Sequence, residues 1–377
     1  MILTEEQQLI RESARAFAQN ELWPNAAAWD RDCHVPVDKY KAMGELGLMG
    51  IIVPEEWGGA GADYVSFALA MIEIAAGDGG CGTLASVMGL LSNALYRFGS
   101  EAQKNKYLSP LASGKTISAF ALTEPQAGSD ASNLRVRAEK RDDHFILNGT
   151  KQFITAGSIA DFAIVFAVTD PELGKKGITA FLVDADTPGY RVVSIEKKLG
   201  QHSSDTCQLV FEDLKVPAEN MLGTRGEGYK IALANLEGGR VGIAAQSVGM
   251  ARAAMEVAIE YAKERESFGK PIIEHQGVAF RLADMATQVE AGTQMVLHAA
   301  ALKDSGASCL KEASMAKLFA SEMAEKVCSG AIQTLGGYGY LSDFPVERIY
   351  RDVRVCQIYE GTSDIQRLVI GRALAAE

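Results

Sequence analysis

The chain has 377 residues, of which 47% are hydrophobic and 23% are charged, a composition typical of folded globular proteins. Its length exceeds what one hydrophobic core usually supports, so we expect two or three packed units. The formal net charge of -11 argues against nucleic acid and anionic membrane surfaces as partners.

The six cysteines are scattered along the chain, with no C-x-x-C pair and no histidine at metal-ligand spacing. We therefore expect reduced thiols, no metal site and a cytoplasmic location. No apolar run of about 18 residues is present to span a bilayer, and the first residues lack the pattern of a signal peptide. Instead, Thr4 and Gln7 fit a capping box, which predicts that a helix begins there.

The hydrophobic periodicity divides the chain into three parts. Residues 1–118 predict an N-terminal helical domain, with one helix over Val37 to Leu46. Over residues 119–225 the period becomes two, which predicts a central antiparallel β-domain, a barrel or a sandwich. Over residues 226–377 the period of 3.6 returns and predicts a C-terminal bundle of about four helices.

Six strands are predicted in the central part, bounded by turn residues. Asn148-Gly149 between the first two is a hairpin signal, because a type I′ turn needs positive φ at both central residues. The six predicted strands are His144 to Leu147, Lys151 to Thr155, Phe162 to Val168, Ile178 to Asp184, Tyr190 to Val193 and Cys207 to Phe211.

The stretch from Cys356 to Arg367 carries the candidate catalytic residue. An apolar segment ends there in Glu360 and Gly361, and a helical pattern follows. Gly361 would let the backbone approach a bound molecule without a side chain in the way. An isolated glutamate at such a place is ordinarily a solvated surface residue, so the rest of the chain must decide its role.

A second candidate lies at the junction of the helical and β parts, from Phe120 to Asp130. A proline, a glycine and short hydroxyl side chains would expose backbone N–H groups beside Thr123 and Ser129. This loop could bind an anion or a heterocycle, and it could equally be a structural turn.

Taken together, these stretches and several others resemble the acyl-CoA dehydrogenase family over essentially the whole chain. The resemblance rests on the order and spacing of several short motifs, none of them specific alone. They are Thr123 to Asp130, Lys151 to Thr155, Phe211 to Pro217, Glu264 to Gly269, Gln333 to Gly339 and Arg348 to Asp352, together with the stretch from Cys356 to Arg367 around Glu360.

The resemblance implies an N-terminal all-α domain, a central β-domain and a C-terminal four-helix bundle, assembled as a homotetramer. It also implies non-covalent FAD and α,β-dehydrogenation of an acyl-CoA thioester to the trans-2-enoyl-CoA. An α-proton beside a thioester is weakly acidic, so its removal needs a positioned base and stabilisation of the carbonyl oxygen. The departing β-hydride needs a flavin, because no side chain accepts one. The expected electron acceptor is an electron-transfer flavoprotein.

By resemblance, Glu360 is the base, and its backbone N–H helps to hold the substrate carbonyl. Some members carry the base just before the arginine of the first bundle helix, where this chain has Gly239, so that alternative position is empty. Burial between flavin and substrate would raise the pKa of the Glu360 carboxylate towards the working range.

Binding positions carry over in the same way. The implied FAD contacts are Phe120, Leu122, Thr123, Gly128, Ser129, Phe153, Thr155, Arg265, Phe268, Gln276, Gln333, Gly336, Gly337, Thr362 and Asp364. Six of them match positions that reach the FAD of a neighbouring subunit: Arg265, Phe268, Gln276, Gln333, Gly336 and Gly337. The implied substrate contacts are Ser129, Glu237, Arg240 and Gly361. Phe153 occupies a position where many members have tryptophan. Without the motifs, Glu237 would be an ordinary solvated helix residue and Arg265 a surface partner of Glu260 or Glu264.

The acyl group is the least determined feature. By resemblance the pocket floor comes from the region Cys81 to Leu91, including Ser86, Met88 and Gly89, and from the first bundle helix. We expect short or short-branched acyl chains, and the absence of arginine between Cys81 and Leu95 disfavours an acid-bearing substrate. Two other functions stay open: an acyl-CoA oxidase that passes electrons to oxygen, and a non-catalytic assembly subunit that binds CoA or flavin.

Overall fold

The computed structural model describes all 377 residues, and its first part is helical. The capping box is confirmed, because the Thr4 hydroxyl accepts from the Gln7 N–H while the Gln7 side chain accepts from the Thr4 N–H. The helix predicted from Val37 is also present. The helices are α1 Glu5–Phe17, α2 Trp23–Asp32, α3 Val37–Glu45, α4 Tyr64–Gly77, α5 Gly79–Phe98, α6 Glu101–Gln103 and α7 Ser109–Ala112.

The central part is one eight-stranded sheet with its own hydrophobic core. Most neighbours are antiparallel, but β1 pairs with β4 in parallel. The strand order is β6-β7-β3-β2-β4-β5-β8, and 17 buried residues form the core on one face. The strands are β1 Ser118–Ala121, β2 Arg137–Arg141, β3 His144–Thr155, β4 Phe162–Val168, β5 Ile178–Asp184, β6 Tyr190–Ile195, β7 Thr206–Pro217 and β8 Met221–Leu222.

The predicted hairpin at Asn148-Gly149 is wrong. β3 runs through both residues, and β7 pairs with it on either side of a register shift between Leu147 and Gly149. Gly149 has φ 139°, and a Cβ there would lie 2.8 Å from a Val136 methyl. The glycine therefore forms a bulge against a neighbouring segment. The actual turn joins β2 to β3 at Asp142, whose φ is 38°.

The third part is again helical. Its elements are α8 Gly228–Glu264, a short ribbon of β9 Glu266–Ser267 and β10 Lys270–Pro271, α9 Gln276–Asp304, α10 Leu310–Leu335, α11 Pro345–Val353 and α12 Ser363–Leu374. The stripes of α8, α9 and α10 are rich in alanine and join the helices of the first part in one 78-residue core. None of the helices combines the length and the apolar run needed to cross a lipid bilayer.

Charged groups also join the first and third parts. The Glu73 carboxylate of α4 is almost fully buried and accepts from Arg15 of α1 and Arg252 of α8, at 2.6–3.1 Å. Burial alone would raise the pKa of Glu73, but the two guanidinium groups hold it below its usual range. The ion pairs fix α8 against α4, and α8 in turn carries Gly239 and Arg240.

Candidate functional site

Glu360 lies in a tight turn between Tyr359 and the start of α12. Its φ is 53° and that of Gly361 is 87°, so two successive residues have left-handed backbone. Glycine is required at the second, because a Cβ on Gly361 would lie 2.8 Å from the Gln366 amide nitrogen. A glutamate at positive φ is unusual and costs energy, which is common at functional sites.

The Glu360 carboxylate is enclosed by α8 and lacks a hydrogen-bond partner. The residue as a whole is half-buried, but its Oε2 is buried and accepts from no donor. A Cβ on Gly239 would lie 2.8 Å from that oxygen, so the missing side chain provides its space. Burial raises the pKa of Glu360 to about 7, with the charges of Arg240 and Lys317 opposing the rise. Such a carboxylate can accept a proton near neutral pH.

Side chains of α10 and α12 donate hydrogen bonds to the carbonyl groups of the turn. The Gln366 side-chain amide donates to the carbonyls of Glu360 and Gly361 at 3.0 and 2.9 Å, and the Lys317 ammonium donates to that of Gly361 at 2.7 Å. The backbone N–H of Glu360 donates to no acceptor in the chain. That free N–H fits the oxyanion role implied for it.

A buried polar network lies behind the turn. The Tyr359 hydroxyl donates to Gln246 at 2.8 Å and contacts the Thr83 hydroxyl at 3.2 Å. Gln201 donates to the Tyr359 oxygen at 3.4 Å, and its own carbonyl oxygen accepts from Thr83 at 2.6 Å. The network ties the residue before Glu360 to α5 and α8 and to the loop before β7. Such networks hold one geometry when every member is satisfied.

Two predicted substrate residues lie near Glu360 on α8. Arg240 is 6% exposed, forms no ion pair or hydrogen bond, and faces the charges of Glu360 and Glu237. Glu237 accepts from Lys303 at 3.1 Å and from the Cys309 thiol at 3.2 Å. Burial alone would raise the pKa of Glu237, but these donors hold it below its usual range. An unpaired buried guanidinium is costly unless something anionic meets it.

A narrow cavity begins at Gly239, beside the Glu360 carboxylate. It is lined by Ile52, Tyr64, Phe67, Ser86, Gly89, Leu90, Asn93, Asn235, Gly238 and Gly239. Of the residues expected at the pocket floor, Ser86 and Gly89 line it, whereas Met88 is buried in the core. The Phe67 ring packs against two glycines. A Cβ on Gly89 would lie 3.0 Å from the ring, and a Cβ on Gly242 would lie 3.5 Å from it.

The β-domain places the expected flavin positions at the end of β1, on the loop after it and at the adjoining end of β3. Phe120 and Leu122 pack on the core, Thr123 is half-buried, and Gly128 and Ser129 are exposed. The Thr123 carbonyl accepts from the Gln152 N–H at 2.9 Å, which joins this loop to β3. Thr155, at the end of β3, is half-buried.

A buried ion pair, which the motifs did not reveal, fixes the loop after β1 against β3. Glu124 and Lys151 are fully buried, with Oε1 and Nζ 2.8 Å apart, and Lys151 also donates to the Leu122 carbonyl. Glu124 further accepts from the N–H groups of Arg135 and Val136. Burial alone would raise the pKa of Glu124, but Lys151 holds it below its usual range. Both residues stand in quoted motifs, yet no spacing rule says that they pair.

Phe153 has the geometry of a side chain held out for a ligand. It lies at the second register shift of β3, has φ 59° and is 62% exposed. A strained backbone that exposes a large aromatic ring is costly unless the ring packs on something. A planar heterocycle such as the flavin ring fits that requirement.

Three of the remaining FAD positions lie together at the far end of α8. Arg265, Gly336 and Gly337 line one groove of about 500 Å³ together with Tyr261 and Tyr338. Arg265 forms no ion pair with Glu260 or Glu264, and its guanidinium lies 5.9 Å from the centre of the Tyr338 ring. An unpaired guanidinium beside open glycines suits a pyrophosphate.

Five other predicted residues lie outside that groove. Gln276 and Gln333 are exposed, and Phe268 is 95% exposed with φ 52°. Thr362 is the N-cap of α12, where its hydroxyl accepts from the Ile365 N–H at 3.3 Å, and the Asp364 side chain is 94% exposed. The structure therefore places FAD positions in the β-domain, at the start of α12 beside Glu360 and in the distal groove. Phe268, Gln276 and Gln333 lie at exposed positions outside these three places.

Comparison with known proteins identifies the family. Sequence models of the acyl-CoA dehydrogenase N-terminal, middle and C-terminal domains match residues 4–115, 119–214 and 226–375. An acyl-CoA dehydrogenase of Bacillus subtilis is 50% identical over 375 residues, covering 99% of each chain. The short-chain specific acyl-CoA dehydrogenase of Clostridium acetobutylicum is 44% identical over 369 residues, 98% of this chain and 97% of its own.

Solved structures give the same result. Butyryl-CoA dehydrogenase from Megasphaera elsdenii matches with a TM-score of 0.98 at 44% identity, over 100% of this chain and 99% of its own. A chain from a structure of the electron transferring flavoprotein of Acidaminococcus fermentans matches at 0.99 and 46%, over 100% of both chains. A glutaryl-CoA dehydrogenase from Mycobacterium smegmatis in complex with FADH2 matches at 0.94 and 35%, over 100% and 96%. This chain belongs to the acyl-CoA dehydrogenase family of FAD-dependent enzymes.

Proposed function

We propose that the chain dehydrogenates short or short-branched acyl-CoA thioesters to trans-2-enoyl-CoA, with Glu360 as the base. The observation that carries the proposal is the Glu360 carboxylate, which has a buried unpaired oxygen and a pKa raised to about 7. The carboxylate lies against Gly239, which also lines the narrow cavity. A base and a free N–H thus meet at one turn, beside a glycine of the cavity wall.

Each group of the site has its own role in the proposed reaction. Glu360 takes the α-proton, and its free backbone N–H donates to the thioester oxygen as negative charge develops there. When bound, FAD supplies the acceptor for the hydride that leaves the β-carbon. Phe153 and the loops locked by Glu124 and Lys151 would hold the flavin, and substrate binding would exclude water from the carboxylate.

The lining of the cavity supports an uncharged acyl group. The Phe67 ring packs close to Gly89, and no arginine or lysine lines the cavity to meet an acidic group. The proposed short chain length is supported by two relatives, a short-chain specific acyl-CoA dehydrogenase and a butyryl-CoA dehydrogenase. Glu237 and Arg240 stand on α8 beside the base, where we propose that they contact the CoA portion.

The partners follow from the distal groove and one comparison. We propose a homotetramer in which Arg265, Gly336 and Gly337 of one subunit meet the FAD of its neighbour. An electron-transfer flavoprotein is the proposed acceptor, supported by the likeness to a chain from the Acidaminococcus structure.

Anaerobic titration of the FAD-loaded protein with straight and branched acyl-CoAs tests the proposal. We expect the flavin absorbance to bleach most strongly with short chains. No bleaching with any acyl-CoA would exclude dehydrogenation, and a protein that takes up no flavin would point to an assembly subunit. Oxygen consumption during turnover would instead identify an oxidase.

A further inference from the structure

Lys317 of α10 is a fully buried lysine that the proposed chemistry does not yet use. Its side chain has no exposed surface, and no carboxylate lies within ion-pair distance of its ammonium. Burial lowers the pKa of Lys317 to about 8. An ammonium is expensive to bury without a counter-charge, so its place in the core calls for a function.

The only hydrogen-bond acceptor of this ammonium is the carbonyl of Gly361, at 2.7 Å. The buried Gln366 amide donates to the same carbonyl at 2.9 Å and to that of Glu360 at 3.0 Å. Both carbonyls belong to the two-residue left-handed turn. In a trans peptide the C=O and the following N–H lie in one plane, so anchoring these two carbonyls fixes the peptide planes that follow Glu360 and Gly361. The backbone from which the Glu360 side chain projects is thereby held.

Lys317 also acts on Glu360 through its charge. The charged and titratable groups that face Lys317 are Glu360 of the turn, Cys356 before it, Arg240 of α8 and Glu322 of α10. The two cations, Arg240 and Lys317, both oppose the rise in the pKa of Glu360 that burial causes. A nearby positive charge favours the ionised carboxylate, the form that accepts a proton.

We propose that Lys317 is a positioning residue for Glu360, which anchors the turn through the Gly361 carbonyl and keeps the carboxylate ionised at working pH. This inference rests on the proposed function, because it assigns Lys317 a part in proton removal by Glu360. It goes beyond that function by making a residue on another helix responsible for the aim and the protonation state of the base.

Two substitutions separate the hydrogen bond from the charge. Lys317→Met removes both, whereas Lys317→Gln keeps an N–H donor and removes only the charge. Lys326→Met is the matched control, because Lys326 is an exposed lysine on the same helix. The measurement is the rate of flavin reduction in anaerobic stopped-flow, with an acyl-CoA that bleaches the wild-type flavin, from about pH 6 to about pH 9.

Both Lys317 variants should move the rising limb of the pH profile upward by about one unit, since Glu360 loses a neighbouring cation. Lys317→Met should also lower the maximal reduction rate about 10- to 100-fold, with the substrate Kd changed less than about threefold. Lys317→Gln should recover most of that rate at high pH, and Lys326→Met should match the wild type.

An unshifted pH profile in Lys317→Gln would overturn the inference, and that variant decides the matter if Lys317→Met does not fold. Equal losses of rate and affinity with an unmoved profile would show a merely structural lysine and would also overturn it. If the wild-type flavin is reduced normally and both Lys317 variants behave like the wild type, the role of Lys317 is overturned and the proposed function stands. No reduction of the wild-type flavin by any acyl-CoA would overturn both.

Discussion

Glu360 combines two costly features, a left-handed backbone and a buried, unpaired carboxylate oxygen. The sequence located this residue through its motif, together with the glycine that follows it. It could not show that Gly239 provides the space for the carboxylate, or that Lys317 and Gln366 anchor the turn. Gly239 and Lys317 contact the turn from more than forty positions away. Gln366 reaches back only five and six positions, but no local pattern encodes the direction of its side chain.

The buried base should cost stability at neutral and alkaline pH. The pKa of Glu360 rises from 4.5 to about 7 on folding, so the folded state binds this proton more tightly. Its stabilising effect is present at low pH and is lost as pH rises from 4.5 through about 7. Glu360→Gln should therefore be more stable than the wild type above that range, by about 1–2 kcal/mol, and much less so at low pH.

Thermal midpoints of the FAD-loaded variant and the wild type on both sides of that pH range check this prediction. Glu172→Gln is the matched control, because Glu172 is an exposed glutamate in the segment between β4 and β5. A Glu360→Gln variant equally stable with the wild type at both pH values would refute the raised pKa.

A side chain at position 239 should slow catalysis without preventing folding. In Gly239→Ala the new methyl would lie 2.8 Å from the Glu360 Oε2 and displace the carboxylate. We expect flavin reduction to slow about 10- to 100-fold, while alanine in place of helical glycine offsets part of any loss of stability. Gly371→Ala is the matched control, since Gly371 is a helical glycine of α12 where a Cβ would meet nothing within 4 Å. Equal rates in the two variants would contradict the proposed packing.

At the level of the elements, sequence periodicity worked where strands are buried on both faces. β4 and β5 have the predicted bounds, because their apolar runs end at polar residues. β2 gave no signal, since four of its five residues are exposed. The Asn148-Gly149 signal failed because a glycine with positive φ serves a bulge as well as a turn, and pairing with β7 decides between them.

The Glu124–Lys151 ion pair is the element-scale feature with the sharpest consequence. Glu124→Gln would leave Lys151 buried without a counter-charge and should cost about 3–5 kcal/mol in the free energy of unfolding, with weaker FAD binding. The double variant Glu124→Gln, Lys151→Met removes both charges and should recover part of that loss. Urea unfolding and flavin titration of the single and double variants measure it. Additive losses would mean that the two residues do not act as a pair.

At the scale of the whole molecule, the order of helical, β and helical parts was predictable from periodicity, and the motifs predicted the family. The motifs also implied that Arg265, Gly336 and Gly337 reach the FAD of a neighbouring subunit. These three residues line a groove of their own, while Phe120 and Phe153 lie in the β-domain. We propose that a cofactor shared between subunits accounts for this separation.

Arg265→Ala tests the groove. Loss of a charged hydrogen bond to the pyrophosphate should weaken FAD binding by about 1.5–3 kcal/mol, roughly 10- to 100-fold. Lys263→Ala is the control, because Lys263 is an exposed neighbour that pairs only with Glu260. Flavin fluorescence during titration of the apoprotein gives both affinities. Equal affinities would exclude Arg265 from the FAD site.

The central claim is that Glu360 removes the α-proton, and anaerobic single-turnover reduction of Glu360→Gln tests it most directly. Gln keeps the size of the side chain and cannot act as a base, so FAD and acyl-CoA should bind with near-normal affinity. Flavin bleaching by the acyl-CoA should be slower in Glu360→Gln than in the wild type by roughly 10³-fold or more. Bleaching at a near-normal rate in a variant that binds both molecules would contradict it.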